Sequence, residues 1–446
     1  MKLLKWLYPG LHFKRWLAVA LGGLFLAAGG IALLARALLG DHRVLPLTWS
    51  GEIFGPHRAW AGGLFLLLLG LPALIYGILR AFRSVVAAIA PEDQYRLVDI
   101  LYTRQYLRRG PRIVVIGGGT GLSVLLRGLK QYTSNLTAIV SVADDGGSSG
   151  RLRGDYGMLP PGDIRNCLVA LADKESLMEE LLQYRFRGGE LKGHNLGNLL
   201  LAALNDVAGG FHEAVEGLSK VLAIRGRVLP VTLQNVVLGA ELSDGTLVYG
   251  ESCIPLCRRR IKRVFLKPAD CFPLPEALEA IREADAVVLG PGSLYTSILP
   301  NLLVRGMPEA LDRSRAVKIY VCNVMTQPGE TDGYTAGQHL QAILSHAGPV
   351  VDYMVVNEEE IPARLRSRYR REGAAPVVVD RAEIEKMGVQ LVGGNLVQES
   401  NVVRHHPDKL ARLILELLLA ERRTERGRAP GAVAGQGPAG RKSVGT

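Results

Sequence analysis

RIVVIGGGTGLS, residues 112–123, sets a short β-branched apolar run directly before a glycine loop that opens into a helical pattern. A buried strand passing through glycines into a helix is the repeating unit of a parallel α/β sheet. The form recurs along the chain. TAIVSV at 137–142 leads into ADDGGSSGRLR at 143–153, and AVVLG at 286–290 leads into GPGSLYTSILPN at 290–301. KIYVCN at 318–323 and YMVVN at 353–357 also end in polar loops, with helical stretches between the runs. The pattern predicts an α/β fold with a Rossmann-like, mainly parallel sheet. Residues 407–423, PDKLARLILELLLAERR, add an amphipathic helix with Leu410, Leu413, Ile414, Leu417 and Leu418 on one stripe.

The loops at the strand ends carry the candidate chemistry. Gly117, Gly118, Gly119, Thr120 and Gly121 let the backbone approach a phosphate at a helix N-terminus. The loop departs from G-x-G-x-x-G, because Leu122 holds the sixth position, and it lacks the Gly-Lys-Ser/Thr of a P-loop. Neither an NAD enzyme nor an ATPase follows, and a plain tight turn is the alternative. Asp144 and Asp145 end the next strand, where ribose hydroxyls or a hard cation such as Mg²⁺ could be taken, or where they only form a solvated turn. In PPGDIRN, 160–166, Asp163 reads as a helix cap that places Arg165 and Asn166 in the first turn. In GHNLGNLLLAAL, 193–204, Asn195 is the expected N-cap and Asn198 shares its face. His194 is an acid–base candidate or a structural histidine. Gly290, Gly292 and Ser293 repeat the phosphate-cradle form, with Tyr295 and Thr296 as further donors, and Asn323 ends another strand before the polar loop at 329–333. Six such loops describe one crevice better than six coincidences. Asn195 and Asp145 are expected at exposed loop ends.

Upstream the composition changes. Residues 16–39 and 60–79 are each long and apolar enough to cross a bilayer as a helix, with Trp16 and Trp60 at their starts and Arg36 near the end of the first. Lys2, Lys5, Lys14 and Arg15 precede the first span, and Arg80, Arg83, Arg96, Arg104, Arg108 and Arg109 follow the second. The loop between them has Arg43 and Arg58 beside Asp41 and Glu52. The positive-inside rule then puts both termini and the main domain in the cytoplasm of a two-span membrane protein. The expected division is a transmembrane hairpin at 1–82, a juxtamembrane connector at 83–110, an α/β domain at 111–425 and a disordered tail at 426–446. The formal charge of +11 follows from these flanks and the tail, not from a nucleic-acid module. The five cysteines are scattered, and Cys253, Cys257 and Cys271 lack a fourth zinc ligand, so a reducing compartment and no disulfide framework are expected.

Taken in order, GGGTGLS, DDGGSSGRLR, PPGDIRN, GHNLGNL, GPGSLYTSI and NVMTQPGETDGYT resemble the YvcK family of gluconeogenesis factors, related to CofD, the 2-phospho-L-lactate transferase of deazaflavin coenzyme synthesis. The likeness spans roughly residues 111–400. It implies a Rossmann-like core that binds a UDP-sugar, with UDP-N-acetylglucosamine the leading candidate. It also implies a role in cell-wall precursor supply and cell shape on gluconeogenic carbon sources. Carried over, the Gly117–Gly121 loop and Asp144–Asp145 would lie by the ligand, and Asn195, Asn198 and the Gly290–Ser293 loop would complete the site. Two functions stay open: a regulatory sensor, and a Mg²⁺-dependent transferase of the CofD type in which Asp144 or Asp145 holds the metal. Cell-wall enzymes or regulatory proteins are candidate partners, and a homo-oligomer remains open. No nucleic-acid partner is expected.

Overall fold

Each short apolar run becomes a strand buried on both faces. In the computed structural model the described residues are 13–39, 56–89, 105–173, 176–398 and 402–428. Strands β1 (Ile113–Gly117), β2 (Leu136–Val140) and β3 (Arg227–Pro230) open the main sheet. Strands β4 (Val237–Leu242), β5 (Leu247–Tyr249) and β6 (Ile261–Lys267) form a separate antiparallel sheet in the order β5-β4-β6. The chain then returns through β7 (Ala286–Leu289), β8 (Val317–Val321), β9 (Tyr353–Asn357) and β10 (Gln390–Gly394). The main sheet runs β10-β9-β8-β7-β1-β2-β3, and every pair in it is parallel. Ile113, Val115, Ile116, Val287, Val288 and Leu289 are almost wholly buried, as helices covering both faces of a parallel sheet require. The five anticipated strands are present. β3, β10 and the antiparallel insertion had no counterpart in the sequence reading.

The order of this sheet positions the site. From β1 the chain winds outward to β2 and β3, then crosses back to β7 on the opposite side of β1. The loops after β1 and β7 therefore leave the sheet in diverging directions and open a crevice at the strands' carboxyl ends, where open α/β sheets bind ligands. The helix Gly119–Leu129 packs against the C-terminal helix Pro407–Arg428. A Cβ on Gly128 would fall 2.1 Å from the Pro407 carbonyl oxygen. Leu410, Ile414, Leu417 and Leu418 of that C-terminal helix are buried, as its stripe predicts.

The chain divides into two units, with the α/β unit starting at Tyr106. Among its described residues the N-terminal unit has the helices Phe13–Leu39 and Pro56–Ile89. Their apolar windows, Lys14–Ala35 and Trp60–Ser84, are long enough to cross a membrane. Gly63, Gly70 and Gly77 recur every seventh residue and meet Gly30, Ala27 and Ala20, so the two backbones approach closely. Arg80 caps the pair, its guanidinium 5.2 Å from the centroid of Trp16. Lys2, Lys5, Asp41, Arg43, Glu52, Arg96 and Arg104, most of the 83–110 connector and most of the 426–446 tail lie outside the described residues.

Candidate functional site

Two glycine loops interlock at the switch point between β1 and β7. A Cβ on Gly121 would sit 2.6 Å from the Pro291 carbonyl oxygen, and one on Gly292 would sit 3.1 Å from that of Gly118. Only glycine lets the backbones come this close. The Asn323 amide at the end of β8 ties the loops in place by donating to the Gly292 carbonyl at 2.8 Å. Between the loops lies a cleft of about 270 Å³, lined by Gly119, Thr120, Gly121, Gly292, Ser293 and Asn323 together with Arg404 and His405. Gly117, Gly118 and Gly290 lie behind that lining. Arg404 and His405 arrive from a two-residue strand near the end of the chain, and nothing in their local sequence marks a ligand loop.

The loops after β2 form a second cluster joined to the first. Asp163 sits inside the first turn of the helix Gly162–Leu171, which Pro161 precedes as N-cap. Its carboxylate does not cap that helix as the sequence suggests. It accepts instead from the Gly119 N–H at 2.6 Å, capping the helix that follows β1. Burial raises the Asp163 pKa to about 6, with Asp144 adding to the rise. Arg165 is buried and donates to Asn198 at 2.8 Å and to Asn166 at 2.7 Å, while its Nε has no partner among the described residues. Burial, then Arg185, lowers its pKa to about 10, so it stays charged at neutral pH. Asn195 caps the helix Leu196–Ala208 through its side-chain oxygen, as expected. Asn195 is not at an exposed loop end: it is 2% exposed, beneath Ser148, whose hydroxyl accepts from the Asn195 N–H. Ser148 also meets His194 Nδ1 at 3.2 Å, and burial, then Arg151, lowers the pKa of that histidine.

The adjacent aspartates turn to different partners. Asp144 Oδ1 accepts from the Gly146 N–H at 2.9 Å, and no protein donor meets its Oδ2 among the described residues. Asp145 Oδ1 accepts from the Ser252 N–H at 2.8 Å, in the turn after β5. No group of three or more His, Cys, Asp or Glu side chains converges on a metal position among the described residues. A cation such as Mg²⁺ held by Asp144 Oδ2 would therefore take its other ligands from phosphate oxygens and water, the coordination Mg²⁺ commonly keeps.

Two acidic residues beyond the anticipated set stand near these loops. Glu330 is 3% exposed and accepts from Thr296 Oγ1 at 3.1 Å and from Gln327 Nε2 at 2.9 Å. Burial raises its pKa to about 7. Burial, then Asp144 and Glu330, raises that of Glu251 to about 8. The Tyr295 hydroxyl pairs with that of Tyr334 at 3.0 Å, so both Tyr295 and Thr296 face this buried network. Glu330 lies in the polar loop that the sequence marks. Glu251 follows a short strand, and its nearness to Asp144 and Glu330 comes from the fold, with no local sequence signature.

This geometry has relatives. The family model described as 2-phospho-L-lactate transferase CofD matches residues 113–397. The gluconeogenesis factor of Bacillus subtilis is 53% identical over 311 residues, covering 69% of this chain and 98% of that one. The gluconeogenesis factor of Halalkalibacterium halodurans is 54% identical over 307 residues, covering 68% of this chain and 95% of its own. A relative in Nostoc sp. is 47% identical over 425 residues and covers 92% of each chain, a length that takes in much of the N-terminal region. The crystal structure of a UPF0052 family member from Bacillus halodurans aligns with a TM-score of 0.67 at 53% identity, over 69% of this chain and 99% of that one. With the matched residues spanning the whole parallel sheet and both glycine loops, this chain belongs to the CofD family and, within it, to the gluconeogenesis factors of the YvcK type.

Proposed function

We propose that this protein binds a UDP-sugar, UDP-N-acetylglucosamine foremost, and acts as a membrane-tethered regulatory protein that reports cell-wall precursor supply. The observation that carries this reading is the meeting of two glycine loops, each opening a helix, at the switch point of the parallel sheet. Backbone N–H groups and helix N-termini there suit a diphosphate. Asn166, Asn198 and His194 beyond Asp163 supply polar groups suited to sugar or base. The kinship with gluconeogenesis factors supports a role in wall supply and cell shape on gluconeogenic carbon. The two apolar helices, with Lys14 and Arg15 before them and Arg80 and Arg83 after, support a hairpin anchor with both ends cytoplasmic. Wall-synthesis or regulatory proteins would read the liganded state.

A transferase of the CofD type is the second reading. It is favoured by the family match and by the unpaired Asp144 Oδ2 beside the glycine loops. Calorimetric titration of the full-length protein with UDP-N-acetylglucosamine, with and without Mg²⁺, followed by product analysis, separates the two. Saturable binding of an intact ligand supports the regulator. Mg²⁺-dependent consumption establishes the enzyme, and no binding under either condition removes the UDP-sugar reading.

A further inference from the structure

A second cleft, of about 370 Å³, lies on the far side of the loop that carries Glu330. That volume falls within the roughly 300–1,000 Å³ of small-ligand sites. One wall is the consecutive run Arg258, Arg259, Arg260; the other is the 328–334 loop with Tyr334 and Gln338. The walls are fixed against each other, because a Cβ on Gly329 would lie 1.9 Å from the Pro255 carbonyl oxygen.

The charges in this cleft are unequally engaged. Each of its carboxylates has a partner: Asp332 accepts from the Gly329 N–H at 2.7 Å, Glu372 faces Arg368 at 3.8 Å, and Glu330 accepts through Oε1 from Thr296 and Gln327, while its buried Oε2 has no hydrogen-bond partner among the described residues. Arg259 pairs with Asp244. Arg258 and Arg260 have no ion-pair partner among the described residues. Arg260 is steered by Tyr334, with its guanidinium 5.9 Å from the ring centroid, a cation–π arrangement. The Gln338 side-chain oxygen is taken by the Thr335 N–H, which leaves its amide donors for a ligand. Arg258 stands at φ +46°, a left-handed conformation that glycine would hold with less strain. Strained residues of this kind cluster at ligand sites.

We propose that this cleft is an anion site for a phosphorylated small molecule, separate from the glycine-loop cleft. Arg258, Arg260 and Gln338 line one concave surface, and guanidinium and amide donors are the set that recognises a phosphate monoester. The shared loop gives the site a route to the first cleft: Gln327 lines that cleft and donates to Glu330, which lines this one.

The test titrates inorganic phosphate into the full-length protein at constant ionic strength and follows its melting temperature. The comparison protein carries Arg258→Gly and Arg260→Gln. Glycine suits the left-handed position at 258, and each protein is compared with its own phosphate-free melting temperature, so the loss of the Arg260–Tyr334 contact does not enter the reading. The general salting effect of phosphate is common to both proteins, so their difference reads the site. The expected result is saturable stabilisation of the parent, with apparent affinity lowered about tenfold or more in the variant. Equal stabilisation of both proteins, or none in the parent, overturns the proposal. Neither result bears on UDP-sugar binding in the glycine-loop cleft.

Discussion

The carboxylate of Asp163 holds the backbone N–H of Gly119 at 2.6 Å, across 44 residues of chain. A side chain in the third glycine-and-proline loop thus caps the helix that the first glycine loop opens. This bond couples the β2-side cluster of Arg165, Asn166 and Asn198 to the cleft between β1 and β7. It also places a carboxylate at the helix N-terminus to which a ligand phosphate would be drawn.

Replacing Asp163 separates the cap from its charge. Asparagine keeps an acceptor for the Gly119 N–H, whereas alanine leaves that donor unmet. Asp163→Ala is expected to lose about 1–3 kcal/mol of stability relative to Asp163→Asn, the usual cost of an unsatisfied buried donor. Urea unfolding of both variants checks it. Equal midpoints would show that the bond does not anchor the loop.

Stability and ligand affinity should both depend on pH, in one direction. Asp163, Glu330 and Glu251 are raised to about 6, 7 and 8, in each case mainly by burial. Between the ordinary carboxylate range and these values the folded protein holds protons that the unfolded chain has lost. The contribution of these groups to stability is therefore greatest near pH 4 and falls as pH rises through 6 to 8. The melting temperature should decline across that window, and Glu251→Gln should flatten its upper part. Affinity for a diphosphate ligand should weaken over the same range as negative charge accumulates nearby. A Glu251→Gln profile that superimposes on the parent would overturn the assignment.

What the sequence discloses and what it hides divide along local and non-local physics. IVVI and AVVL are legible because strands buried on both faces need unbroken apolar runs. RVLP of β3 and QLVGG of β10 are short and mixed, and they become strands only by pairing with β2 and β9. The Asn195 cap is legible because its acceptor and donor lie within one turn. Asp163 reads as the cap of its own helix because its true partner is distant in sequence. Arg404 and His405 reach the cleft from a short strap that carries no glycine or turn signature, so only the fold discloses them.

Asn195 tests how far the cap and the site coincide. Its side chain caps the Leu196–Ala208 helix, and the residue is buried. Asn195→Ala should therefore cost about 1 kcal/mol of stability, the usual loss for such a cap. Asn195→Asp keeps the acceptor and should restore most of it. If UDP-N-acetylglucosamine affinity follows stability across the two variants, Asn195 only supports the site. If Asn195→Asp folds normally but binds weakly, its amide reads the ligand directly.

The N-terminal hairpin offers a test by adjacent residues. A Cβ on Gly23 would meet the Leu74 backbone nitrogen at 2.4 Å, whereas one on Gly22 meets nothing within 4 Å. The two glycines are about 100° apart around one helix, one against its partner and one in open space. Gly23→Val must push the helices apart and lose the close packing that drives association between apolar helices. Gly22→Val adds only apolar surface. Heat-induced aggregation of the detergent-solubilised full-length protein should begin at a lower temperature for Gly23→Val and at the parent temperature for Gly22→Val. Matching onsets for the two variants would mean that the seven-residue glycine spacing does not hold the hairpin together.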